Sequence, residues 1–341
     1  MFTNEALRVV EHLAVSYDQW RQNERGRRAT GPTLTWKHIS GSDYLYEVVP
    51  GGRTSKSRGP RSPETEDAYS RFTQARSELD ARTKPLASRI AELARLYRAL
   101  RLPMIDAAAG DLLREADLRG MLGSQLLVAG TLTMAAYQIE AQDRIADGYD
   151  ATDDIDLTLA GDLTAGATSA SRFPTPLTDL IKAVDSTYTV NTERSFQARN
   201  SRAYEVEFLT APEFAEWVPG SEGVRPLVLQ SQGWLLGGVR VDQVVMDRSG
   251  KPARIVAPDP RLMGLHKLWL SEQPDRNPRK ATKDKVQGQA LLAACGSLIP
   301  SHEIDASFLR SIPDELHEVW DTHMQAGHDQ RQLEPDDDGP R

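Results

Sequence analysis

The stretch Ala151-Thr-Asp-Asp-Ile-Asp-Leu-Thr-Leu159, together with the earlier stretch Leu126-Leu-Val-Ala-Gly-Thr131, decides the fold of this chain. The earlier stretch has the pattern of an apolar strand that ends at a glycine and is followed by a helix. The later stretch predicts a second strand, which carries Asp154 and Asp156 one residue apart. Side chains two positions apart on a strand point to the same face, so this spacing places both carboxylates together.

Two carboxylates on one face of a strand repel each other unless a cation lies between them. Hard divalent ions such as Mg²⁺ take carboxylate oxygens as ligands and also bind phosphate groups. The spacing of Asp154 and Asp156 therefore indicates metal-dependent chemistry on a nucleoside triphosphate. A solvated turn is the ordinary alternative for an Asp-X-Asp sequence, but Leu157 and Leu159 after the pair favour the strand.

The composition is that of a cytoplasmic protein with no membrane contact. No apolar run approaches the ~20 residues that a bilayer-spanning helix needs, and the first residues lack the basic and apolar pattern of a secretory signal. Cys295 is the only cysteine, which excludes an internal disulfide and a four-cysteine zinc site. It lies in an apolar run, so we expect a buried small residue there and not a nucleophile.

Charge is unevenly distributed along the chain, which has a net charge of −8. Residues 1–105 carry 18 Lys and Arg against 12 Asp and Glu, or +6, which leaves −14 for the remainder. Because acidic residues are interleaved with this basic region, a solvated surface is the preferred interpretation, and contact with a polyanion such as RNA is the alternative. Its basic residues include Arg21, Arg25, Arg27, Arg28, Arg53, Lys56, Arg58 and Arg61.

The order of predicted elements is helices, then a mixed sheet, then helices, which indicates an α+β fold with helical additions at both ends. A helical pattern over 63–100 is interrupted near Pro85, and the breaker-rich stretch near 50–62 is typical of a mobile loop. We predict four regions: a mainly helical N-terminal region 1–105, a catalytic core 106–258, a C-terminal helical region 259–326 and an acidic disordered tail 327–341.

Gly130-Thr131 followed by Asp154-Ile-Asp156 on a strand resembles the nucleotidyltransferase-fold superfamily, which includes DNA polymerase β. The chain is most similar to bacterial stand-alone proteins of that fold, over roughly residues 85–300. The resemblance implies a mixed β-sheet core. Further blocks follow the same order as in those proteins: Leu112–Asp117, Val128–Thr131 with Ala135–Tyr137, Val206–Thr210, Pro258–Pro260 with Leu265–Leu268, and Lys280 with Lys283-Asp284.

The resemblance implies a role for each carboxylate. Asp154 and Asp156 would hold two Mg²⁺ ions, with Mn²⁺ as the alternative ion. Glu207 would be the third carboxylate, on a neighbouring strand. The superfamily more often has aspartate at this place, and Glu205, which shares the strand face, is the second candidate.

The resemblance also implies nucleotide-binding residues. Gly130 would let the backbone approach a phosphate closely, and Thr131, which stands where serine is more common, would offer its hydroxyl. Lys267 would neutralise the triphosphate from the following helix, with help from Lys283. The stretch from Gly130 to Asp154 is longer than in the smallest members and predicts an additional loop.

The expected activity is transfer of a nucleoside monophosphate from an NTP to a hydroxyl acceptor, with release of pyrophosphate. The acceptor would be tRNA or another RNA, a protein or a small molecule. Related transferases include toxins, so a toxin role with an antitoxin partner is a further hypothesis.

Two alternatives remain: an antibiotic-type small-molecule nucleotidyltransferase, and a non-catalytic member that binds a nucleotide or a partner. The chain has no P-loop sequence, which disfavours that class of NTPase.

Overall fold

The computed structural model describes residues 1–48, 55–146, 148–149, 152, 154–160, 176–217 and 223–333, with side chains described as far as residue 324. Its helices are α1 Asn4–Ala29, α2 Pro63–Ala99, α3 Ala107–Leu118, α4 Met134–Glu140, α5 Leu177–Val184, α6 Gln230–Trp234, α7 Pro260–Ser271, α8 Pro278–Ser297, α9 Ala306–Ser311 and α10 Asp314–Leu333. Its strands are β1 Thr33–Ile39, β2 Ser42–Val48, β3 Ser55–Pro60, β4 Met104–Ile105, β5 Leu126–Ala129, β6 Asp154–Leu159, β7 Thr189–Val190, β8 Gln197–Arg199, β9 Glu205–Thr210, β10 Leu227–Val228, β11 Val241–Asp247 and β12 Pro252–Ala257.

The central sheet has the strand order β5-β6-β9-β8-β7, and β10 lies beside the far end of β9. It is mixed, because β6 runs antiparallel to β5 but parallel to β9. Ile155 and Leu157 on β6 and Val206 and Phe208 on β9 are fully buried on the face opposite the carboxylates. The predicted α+β class with a mixed sheet is therefore confirmed.

The main core joins this sheet to α3, α4, α5 and the hairpin β11-β12 in one apolar cluster. The hairpin belongs to a second sheet of order β12-β11-β4. Cys295 of α8 is buried in the same cluster, and burial raises the pKa of its thiol to about 12, so it packs as an apolar residue. Among the described helices, none is both long enough and apolar enough to cross a membrane.

The N-terminal region contains a helix pair and a small antiparallel sheet, β1-β2-β3. The predicted interruption at Pro85 is wrong, because α2 continues through it. A proline inside a helix costs a hydrogen bond and bends the helix, but α1 packs against α2 on both sides of this position. Asn23 donates to the Thr83 hydroxyl at 2.9 Å before it, and Leu93 and Ala94 join a shared apolar cluster after it.

Two predicted irregular segments also differ from the structure. Ser55–Pro60 is not a loop but pairs with β2, because backbone pairing at a sheet edge tolerates the glycine and proline that weaken a strand pattern. Pro50 and the residues up to 54 lie outside the described residues. The tail predicted from residue 327 is helical as far as Leu333, where α10 ends, and its acidic end lies outside the described residues.

Asp117 at the end of α3 connects the N-terminal helix to the core. Its carboxylate is 1% exposed and accepts hydrogen bonds from Tyr17 at 2.7 Å, Arg21 at 3.3 Å and Arg254 at 3.0 Å. Arg25 donates to its backbone carbonyl at 2.6 Å. Because three of these four donors lie on α1, one buried charge holds that helix against α3 and β12.

We expect the Asp117→Ala variant to lose about 1–3 kcal/mol of unfolding free energy, because it leaves the buried Tyr17 hydroxyl without its acceptor and removes one carboxylate partner from the half-buried Arg21 and Arg254. Urea unfolding followed by circular dichroism measures this loss. Asp67→Ala is the control, since that exposed carboxylate pairs only with Arg71 on the same helix and should cost under about 0.5 kcal/mol. Equal losses in the two variants would contradict the assignment.

Candidate active site

Four carboxylates share one face of the central sheet. β6 and β9 run parallel and in register, so Asp154 lies beside Glu205 and Asp156 lies beside Glu207. All four side chains are half-buried, while the residues between them face the core. The predicted strand and its shared carboxylate face are therefore present, and the neighbouring strand brings both candidate glutamates to that face.

Asp156 is the most perturbed of these groups. Burial, followed by the negative charges of Asp154 and Glu207, raises the pKa of its carboxyl to about 7, while Lys267 and Lys280 oppose the shift. Glu207 is among the largest of these influences, whereas the Glu205 carboxylate lies 3.7 Å from the Arg199 guanidinium. Of the two glutamates, Glu207 thus has the larger effect on the pKa of Asp156.

The donor set fits a magnesium ion that also binds a phosphate-bearing substrate. Within the described part of the chain, no three Asp, Glu, His or Cys side chains are grouped closely enough to hold a metal ion by themselves. Magnesium is usually held by one or two carboxylates together with substrate phosphates and water, so a closed protein cage is not required. Asp154 and Asp156 are the residues that would hold it, and Glu207 lies beside Asp156 on the neighbouring strand.

Gly130 makes room for the Asp156 carboxylate. Its φ is +66°, and a Cβ added there would lie 2.0 Å from Asp156 Oδ2. In the structure, the backbone at Gly130 thus lies against a carboxylate of the site, and its predicted approach to a phosphate stays a prediction. Gly130 begins a 3₁₀ turn that leads into α4, and the half-buried Thr131 hydroxyl next to it makes no hydrogen bond to any described residue.

Lys267 of α7 lies in a buried ion pair behind the carboxylates. Its Nζ donates to Asp284 Oδ1 at 3.1 Å, and Arg276 holds the other oxygen of that carboxylate from 2.9 Å. Burial lowers the pKa of Lys267, whereas the charges of Asp284 and Asp156 raise it. Lys267 is only 2% exposed. Asp284 therefore positions its ammonium group, and the positive charge acts on Asp156.

Two lysines from the start of α8 complete the cationic border. Lys280 Nζ lies 3.8 Å from Asp154 Oδ2 and is exposed. Burial, followed by the nearby charge of Lys267, lowers the pKa of Lys283, while Asp154 and Asp284 oppose the shift. Both lysines therefore lie in the electrostatic reach of the site, and Lys280 makes the closer contact with a predicted metal ligand.

Sequence reasoning assigned no role to four residues that the structure places at the site. Two of them, Lys280 and Asp284, had a usable signal, because they are four residues apart on one helix and so share a face. Arg276 precedes that helix and had no such signal. The fourth, Gln197, donates hydrogen bonds to both Glu205 and Glu207. It had no signal, since β8 is only three residues long.

A family model described as Nucleotidyltransferase matches residues 107–311, which is more than half of the chain. The matched region includes every residue of the candidate site. No curated protein matches the chain, and no solved structure matches it.

We expect Gly130→Ala to destabilise the protein more than Gly120→Ala. Both glycines have a positive φ, of +66° and +73°, so each variant should incur the ~1–2 kcal/mol cost of a left-handed alanine. Only the Cβ at Gly130 overlaps Asp156, because nothing lies within 4 Å of the Cβ position at Gly120. Thermal unfolding measures the difference, and equal melting temperatures would contradict the packing described above.

We expect Asp156→Asn to stabilise the metal-free protein at pH 8. The folded protein keeps a proton on Asp156 up to about pH 7, whereas the unfolded chain releases it near pH 4. Metal-free stability should therefore rise as the pH falls from about 7 to about 4, and fall as the pH rises. The asparagine variant should remove most of this dependence and add on the order of 2 kcal/mol at pH 8.

Thermal unfolding between pH 4 and pH 8 with a chelator present tests this expectation. Asp67→Asn is the control, since its exposed carboxylate should leave the pH dependence unchanged. A wild-type melting temperature that rises with pH across this window, or an asparagine variant with the wild-type profile, would contradict the assignment.

Proposed function

The chain belongs to the nucleotidyltransferase family, and we propose that it transfers a nucleoside monophosphate from an NTP to a hydroxyl acceptor. Transfer would depend on Mg²⁺, or on Mn²⁺ in its place. The acceptor oxygen forms a bond to the α-phosphorus, the bond to the departing phosphates breaks, and pyrophosphate leaves.

The observation that carries this proposal is the pairing of a carboxylate face with a cationic border. Asp154 and Asp156 lie beside Glu207 on one face, and Lys267 and Lys280 reach the same carboxylates from α7 and α8. A triphosphate bound there would bring further negative charge to a crowded anionic face. The four carboxylates on this face outnumber the lysines that reach them, and a divalent ion would compensate for the remaining negative charge. The composition of the site therefore supports a substrate in which a metal ion accompanies the nucleotide.

Bound Mg²⁺ would supply charge neutralisation for the triphosphate and would lower the pKa of a bound hydroxyl. The protein's own contribution is position and charge. Asp154 and Asp156 fix the site on a rigid central strand, and Gly130 lets the Asp156 carboxylate lie against the backbone. Lys280, which is exposed, would meet a phosphate oxygen from the solvent side, while Lys267 would contribute its charge from the buried side.

The structure bears on which acceptor the enzyme would use. Six of the eight basic residues that suggested RNA binding form ion pairs with neighbouring carboxylates, so their charge is largely compensated within the protein: Arg21, Arg25, Arg27, Arg28, Arg58 and Arg61. Arg53 lies outside the described residues. These ion pairs weaken the argument from local charge for an RNA acceptor, although residues 1–105 keep an excess of basic residues. The toxin role with an antitoxin partner remains a hypothesis.

We expect label from an α-³²P-labelled NTP, but not from a γ-³²P-labelled one, to appear on an acceptor when Mg²⁺ is present. Each of the four NTPs is incubated with the full chain and with total tRNA, with a protein extract or with a small-molecule hydroxyl panel. The Asp154→Asn and Asp156→Asn variants should lose at least ~100-fold of the rate, because each removes a charge that acts on the metal and the transferred group. EDTA should abolish transfer.

Asp242→Asn is the matched control, because that carboxylate is exposed and pairs with Arg254 away from the sheet face. It should transfer label at the wild-type rate. The fraction that carries label names the acceptor class, and the labelled NTP names the nucleotide. Label from the γ position would indicate phosphoryl transfer instead, and nucleotide binding without any transfer would support the non-catalytic alternative.

A further inference from the structure

Gln197 connects the two candidate glutamates. It lies on β8 directly opposite Glu207 of the antiparallel strand β9, and it is 6% exposed. Its side-chain Nε2 donates to Glu207 Oε1 at 2.9 Å and to Glu205 Oε2 at 3.1 Å. Each of the two N–H groups thus has a carboxylate oxygen as its acceptor.

Asn191 fixes the orientation of the Gln197 side-chain amide. Asn191 Nδ2 donates to Gln197 Oε1 at 2.9 Å, so the oxygen of the amide faces away from the carboxylates. Asn191 is itself held by the turn that follows it, since its side-chain oxygen accepts from the backbone N–H groups of Glu193 and Arg194. The amide of Gln197 therefore cannot rotate by half a turn without losing three hydrogen bonds.

The two glutamates depend on this amide to different degrees. Glu205 also has the Arg199 guanidinium 3.7 Å away. In the described part of the chain, Gln197 is the only side chain that donates a hydrogen bond to Glu207. A change at Gln197 would therefore affect the position of Glu207 more than that of Glu205.

A neutral donor suits this place better than a cationic one. An arginine or lysine at position 197 would also bind Glu207, but its charge would oppose a divalent cation at the same face. An amide orients the carboxylate and leaves its negative charge available. Residues that orient metal ligands in this way commonly change metal affinity 10–100-fold when they are replaced.

We infer that Gln197 is a positioning residue that holds Glu207 beside Asp156, so that the negative charge of Glu207 strengthens the binding of a divalent cation by Asp154 and Asp156. The inference rests on the proposed function, because it concerns the same metal site. It also selects Glu207 over Glu205 as the third carboxylate.

Mn²⁺ titration of the full chain, with free Mn²⁺ measured by electron paramagnetic resonance, tests the inference without any need for catalysis. Gln197→Leu keeps most of the side-chain volume and removes both donors, and we expect the dissociation constant for Mn²⁺ to rise about 10–100-fold. Asn191→Ala should raise it by a smaller factor, since Gln197 remains but its amide is free to rotate. Gln138→Leu is the matched control, because Gln138 is a buried glutamine on α4 and should leave the dissociation constant unchanged.

Thermal unfolding of each metal-free variant separates positioning from structural support. A merely structural Gln197 would lower the melting temperature and leave the Mn²⁺ dissociation constant within about twofold of wild type, which would overturn the inference. A second comparison distinguishes this result from failure of the proposed function. If wild type binds Mn²⁺ no more tightly than the Asp154→Asn/Asp156→Asn double variant, these aspartates do not form a metal site. The proposed function and the proposed role of Gln197 are then both rejected.

Discussion

The in-register parallel pairing of β6 with β9 is the constraint on which the candidate active site depends. It places two carboxylates from each strand on one face of the sheet, with Asp156 directly beside Glu207. Like charges opposite each other on neighbouring strands destabilise a sheet. The structure compensates for this repulsion with groups from three other elements: Lys267 of α7, Lys280 of α8 and Gln197 of β8. The arrangement that would bind a cation therefore also destabilises this part of the sheet through repulsion between the carboxylates.

The parts of the site that could be predicted are those whose signal is local. β6 extends from Asp154 to Leu159 as predicted, because alternating polar and apolar residues specify a strand with one buried face. The glutamates on β9 follow the same rule. The role of Gln197 could not be predicted in this way, since its partners are set by the pairing of β8 with β9 and not by neighbours in sequence. The ion pair of Lys267 with Asp284 likewise depends on how α7 packs against α8.

The errors in the predicted fold have a similar cause. Breaker residues indicated a loop at Ser55–Pro60 and an interruption at Pro85, and both signals describe the isolated backbone correctly. Pairing with β2 and packing against α1 override them in the folded chain. Local propensity thus failed where a long-range contact supplied the stabilisation, and it succeeded where the buried face and the local pattern agreed.

The Asp117 cluster sets a lower limit on how far the chain can be trimmed. The family match begins at residue 107, but three of the donors to Asp117 lie on α1, and β4 immediately before the match covers an edge of β11. A fragment cut at the match would keep Arg254 beside Asp117 but lose the three donors on α1, and it would leave an open strand edge prone to self-association. A fragment that begins with α1 retains both the donors to Asp117 and the pairing of β4 with β11.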